Sequence, residues 1–140
     1  MRRLQLSTKH PDSFKQQREL RRRAYANTRT MREESPDVAE LVLELTFRDP
    51  HGVARHSAQT HSFAPGAKAF FAIACPSSSC LDGGYDLSGE VSRLLGEGGK
   101  EALGSMDCLG WQSTGHEHKD RCMLEMRYRI TVRYQDDEDD

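Results

Sequence analysis

Apolar and polar positions along this chain repeat in three ways, and each predicts a different element. From Glu40 the period is two: Leu41, Leu43, Leu45 and Phe47 alternate with Val42, Glu44, Thr46 and Arg48, as in a strand with one buried face. Residues 122–134 repeat this most clearly. Leu124, Met126, Tyr128, Ile130, Val132 and Tyr134 share one side, opposite Glu125, Arg127, Arg129, Thr131 and Arg133. A helical period joins Leu87, Val91, Leu94 and Leu95, predicting a short helix capped by Asp86 or Ser88 and stopped by the glycines from Gly96. Finally, residues 69–75 are continuously apolar, which predicts a strand crossing the middle of a sheet.

Turn chemistry divides these elements. Asp49-Pro50-His51-Gly52 and Ala64-Pro65-Gly66 each break the chain. Between them, residues 53–63 read as a poorly patterned strand, suited to an edge or a solvated position. A further strand over 103–111 is interrupted by Gly104 and Gly110. At the front, residues 12–32 lack Gly and Pro and are rich in helix formers. Their apolar stripe (Leu20, Ala24 and Met31) is weak, so the helix needs outside support. The expected fold is α+β: an antiparallel sheet of four to five strands with one short helix, pinned loops and an N-terminal basic helical arm. The expected boundaries are 1–37 for the arm, 38–134 for the β-rich domain and 135–140 for a tail.

Charge sharpens those boundaries. The formal net charge is −2, yet residues 1–32 carry +8 and the remainder −10. The last five residues are all Asp or Glu, a block that repels itself and is expected to be disordered. Arg18, Arg21, Arg22 and Arg23 cluster in the arm, so contact with nucleic acid is available through phosphate neutralisation. Aromatic interleaving is thin there, with only Phe14 and Tyr25 nearby. A solvated arm, or one docked on its own acidic body, is the simpler state.

At 140 residues and 36% hydrophobic content, the chain suits one domain with a modest core. No apolar run approaches the ~20 residues of a membrane span. Met1-Arg2-Arg3 leads into polar sequence, not into the apolar stretch of a secretory leader. A soluble, cytoplasmic protein is expected.

Candidate chemistry centres on Cys75, Cys80, Cys108 and Cys122, each expected at a strand end or in an adjoining loop. A short loop joins Cys75 to Cys80, and a hairpin-like segment near Gly115 brings Cys122 back towards Cys108. Two pairs closed by loops assemble a tetrahedral Zn2+ site, and four thiolates complete its shell. Such a metal braces a fold and leaves no position for substrate. Ser77, Ser78, Ser79, the amides of Gly83 and Gly84, and Arg121 are candidate donors to the sulfurs. His116 and His118 lie in the loop between Cys108 and Cys122 and are alternative ligands. Without a metal, the four cysteines read as ordinary buried or free thiols.

Other motifs dissolve on inspection. Gly96-Glu97-Gly98-Gly99-Lys100 lacks the earlier glycine and the following Ser or Thr of a phosphate loop. Trp111 reads as a packing residue. His56 and His61 face opposite sides in a regular strand. The expected function is a small non-enzymatic zinc-stabilised binding module with a regulatory role, engaging nucleic acid or a protein through its arm. The alternatives are a metal- or thiol-dependent enzyme with an open zinc site or reactive cysteine, and a self-associating structural protein.

Overall fold

The computed structural model describes the backbone of residues 11–50, 52, 56–77, 80–81, 83–112 and 122–135, and their side chains except at 11–18, 81, 111 and 112. The expectations for the tail at 136–140, for His116, His118, Ser78, Ser79 and Arg121, and for the Trp111 and Arg18 side chains lie outside these residues. Among the described residues three helices are present, where one short helix beside the arm was expected. Helix α1 spans Pro11–Asn27, with proline at its first position, where the missing N–H costs nothing. The helix ends five residues short of the expected stop. Thr30 and Glu33 instead form a capping box that starts a new turn, α2, over Met31–Glu34.

The main sheet has four antiparallel strands in the order β2-β1-β8-β6. Its centre is β1 (Val38–Arg48) and β8 (Glu125–Tyr134), the two segments with the cleanest period of two. Leu41 stands opposite Val132, Leu43 opposite Ile130 and Leu45 opposite Tyr128. Leu41, Leu43, Leu45, Met126 and Ile130 are completely buried, each such side chain contributing about 1.5–3 kcal/mol by leaving water. The edges are β2 (Gln59–Phe63) and β6 (Glu101–Asp107). Strand β2 is shorter than the expected 53–63, because residues 56–58 are not in the ladder. Glu101–Asp107 likewise begins and ends earlier than expected. Gly104 sits opposite Tyr128, and a Cβ there would overlap the phenol.

The opposite face of the sheet is polar and open. Arg129 pairs with Glu101 (3.4 Å), Arg133 with Glu40 (3.6 Å) and Arg127 with Glu125 (3.3 Å). Exposed pairs of this kind add little stability. They do keep the face soluble and the register unambiguous.

Residues 69–75 do not cross the middle of this sheet. Only β3 (Ala72–Ala74) is a strand, and it pairs with β5 (Gly84–Asp86) in a separate two-stranded ribbon. One side of the run faces the core, and the other is covered in part, with Ala74 exposed. Phe71 and Ile73 enter the core, with Phe71 4.9 Å from Phe63, while Phe70 meets Tyr25 of α1 edge to face. A second ribbon joins β4 (Cys80–Leu81) to β7 (Trp111–Gln112).

Helix α3 (Ser88–Gly96) completes the lid over the core with Leu87, Val91 and Leu94. The Asp86 carboxylate accepts a bond from the Ser88 amide at 2.9 Å. Gly98, in the left-handed region at φ 67°, ends the helix, and the Gly99 amide returns to the Leu94 carbonyl. The glycine-rich stretch is thus a helix stop. Among the described residues, no helix is long and apolar enough to cross a membrane.

Candidate metal centre

Four chain segments end together at one pole of the sheet. Cys75 follows β3 directly, Cys80 opens β4, Cys108 follows β6, and Cys122 stands three residues before β8. The last two are held by a continuation of the β6–β8 pairing. The Cys108 amide donates to Leu124, Met123 to Cys108, and Cys122 to Gly110. Met123 takes a left-handed conformation (φ 56°) and absorbs the extra residue on that side.

The four Sγ atoms all lie within 4.8 Å of one another. Cys80 and Cys108 are 3.5 Å apart, and Cys75 and Cys122 are 3.7 Å apart. Both of these contacts join sulfurs from different loops. Among the described residues, no His or carboxylate joins this cluster. Cys108 and Cys122 are buried, Cys75 and Cys80 half-buried, and none of the four forms a disulfide.

Backbone amides wrap the sulfurs. Gly110 donates to the Cys108 sulfur at 3.4 Å, Gly84 donates to the same sulfur, and Ser77 donates to Cys75. Cys75-Pro76-Ser77 and Cys108-Leu109-Gly110 thus share one device, in which the amide two residues on turns back to the sulfur. That spacing was visible in the sequence, although Gly110 was read only as a strand interruption. Gly83 serves by having no side chain. Its backbone lies against the cluster, and a Cβ would overlap the sulfurs of both Cys80 and Cys108.

Crowded sulfurs divide their protons unequally. Hydrogen bonding from Cys75, assisted by the Gly110 amide, holds the Cys108 thiol down to about 5. The same bond with Cys108, together with burial, pushes Cys75 well above the usual thiol range. Burial first, and then Cys108, raises Cys80 to about 12. In the metal-free protein, Cys108 is the thiolate that its neighbours support.

Among the described residues, three arginines of the basic cluster have side chains whose directions are seen. Arg22 and Arg23 both turn to Glu19, at 3.2 and 3.6 Å, whereas Arg21 reaches back to Gly84. Comparison of the chain with protein-family models, curated proteins and solved structures finds no match. Fold and site together define a small α+β domain with a four-cysteine candidate metal site among its loops.

Proposed function

We propose that this chain is a small, non-enzymatic binding module whose fold is braced by one Zn2+ held by Cys75, Cys80, Cys108 and Cys122. The sulfur geometry carries the reading. Thiolates about 2.3 Å from a tetrahedral ion stand about 3.8 Å from each other; here Cys80 and Cys108 stand at 3.5 Å, Cys75 and Cys122 at 3.7 Å, and all four sulfurs lie within 4.8 Å. An all-thiolate set suits zinc among the abundant divalent ions. Two ribbons of only two and three residues per strand have little stability of their own. A metal that ties both ribbons to the main sheet supplies what they lack.

The module reading is favoured over an enzyme by the closed donor set and by the burial of Cys108. That sulfur is the best-supported thiolate, yet its residue is wholly inaccessible. The partner surface is the arm, and a protein partner is favoured over nucleic acid. Leu20 is 58% exposed on α1, while Arg22 and Arg23 already share an acidic neighbour. A cytoplasmic setting, which keeps thiols reduced, suits this role.

Metal analysis with thiol titration tests the proposal. One zinc per chain, with all four thiols masked until a chelator is added, is the expected result. Absence of metal from protein purified without chelator and refolded with zinc overturns it. Zinc bound with two thiols still reactive revives an open, catalytic site. Light scattering across a salt series distinguishes the self-associating alternative, in which oligomers dissociate as salt rises.

A further inference from the structure

Helix α1 is fastened by its C-terminal end to the segment that leads into Cys75. The Lys68 ammonium donates to the carbonyls of Ala26 (3.2 Å) and Thr28 (2.9 Å), satisfying acceptors at the end of the helix. Tyr25 packs edge to face on Phe70, with ring centroids 5.4 Å apart. One turn back, Arg21 shares that side of the helix. Its Nη2 stands 3.5 Å from where a Cβ on Gly84 would be. Gly84 is itself an amide donor to the Cys108 sulfur, and its neighbour Gly83 lies against the sulfurs of Cys80 and Cys108.

We infer that Arg21 supplies counter-charge to the metal-loaded cysteine centre, so that metal binding and docking of the basic arm are linked. The inference rests on the metal reading above. Zn2+ with four thiolates has a formal charge of about −2, and a site of that charge needs nearby donors or cations. The backbone supplies amides, and Arg21 is directed at the same ribbon from outside. Linkage is reciprocal: if the docked arm tightens metal binding, the bound metal tightens docking by the same factor. The arm has need of such support, since Leu20 and Tyr25 are each at least half exposed and polar helices are marginal alone.

Cobalt(II) is the probe, because its visible absorption reports tetrahedral thiolate ligation while chelator competition reports affinity. Arg21→Gln is expected to keep the wild-type spectrum but bind about five- to tenfold more weakly at low salt, a gap that narrows as salt screens the charge. Arg21→Lys should restore most of the affinity. Arg22→Gln, which removes a neighbouring charge turned towards Glu19, should bind like wild type. Amide exchange over residues 19–27 should be faster in the metal-free protein and in Arg21→Gln than in the loaded wild type.

Equal affinity of Arg21→Gln and wild type at every salt concentration overturns the inference. Equal weakening by Arg22→Gln overturns it too, since any arm charge would then suffice. So does arm exchange that ignores metal in the wild type. Failure of the wild type to bind cobalt is a different result, which removes the metal reading itself.

Discussion

The Tyr85 hydroxyl donates a 2.7 Å hydrogen bond to the Leu124 carbonyl. This buried bond ties the β3–β5 ribbon, which leads into Cys75, to the stretch between Cys122 and β8. Burial first, and then the neighbouring cysteines, push the Tyr85 phenol far above its ordinary range, so it remains a donor. Tyr85→Phe keeps the ring but leaves the Leu124 carbonyl without this partner. It should lower stability by about 1–3 kcal/mol, read as a shifted denaturant midpoint with an unchanged slope.

Gly83 gives a sharper test of the sulfur cradle. Gly83→Ala places a methyl where the sulfurs of Cys80 and Cys108 already sit. It should weaken metal binding at least tenfold and destabilise the fold by about 1–3 kcal/mol through overpacking. Gly66→Ala, whose Cβ would meet nothing within 4 Å, serves as the control and should behave as wild type in the same chelator competition.

Proton release on metal binding follows from the unequal thiols. Zinc must displace protons from Cys75 and Cys80, both raised in the metal-free protein, whereas Cys108, held near 5, has already lost its own at pH 7. Calorimetry in buffers of different ionisation enthalpy should therefore show one more proton released as pH falls through about 5. In Cys108→Ser that extra acidic step should vanish. Apparent affinity should fall steeply over the same range, because protons then compete at every one of these three sulfurs.

Glu33 makes a separate prediction about acid stability. Its carboxylate accepts from the Thr30 amide at 2.8 Å and from the Thr30 hydroxyl at 3.1 Å, and these bonds lower its pKa below 4.5. A depressed folded-state pKa means that the contribution is present above 4.5 and is lost as pH falls through the lower folded value. Glu33→Gln should flatten the stability profile in that acidic window and leave the profile between pH 6 and 8 parallel to wild type. Thermal melts at a series of pH values would check this.

Much of the sheet was legible because burial leaves a mark with period two. Leu41, Leu43 and Leu45 are completely buried, as their alternation with Glu44 and Thr46 requires, and Met126 and Ile130 follow the same rule. The helix from Ser88 was legible through Leu87, Val91 and Leu94, and its stop through Gly98. The end of α1 was misread since residue composition alone does not distinguish a helix interior from a new capping box. Thr30 and Glu33 held the missing signal.

What the order of residues determined unaided is therefore local: which face of each strand is apolar, where helices can start and stop, and that four sulfur donors flank strand ends. Tertiary structure decided the rest. Residues 69–75 are apolar on both sides whether a sheet or an arm covers them, so only the docked position of Phe70 against Tyr25 separates those cases. Likewise, the convergence of four sulfurs on one point depends on how separate segments meet in space. Short-range periodicity records contact with the interior, but it carries no label for which distant segment provides that contact.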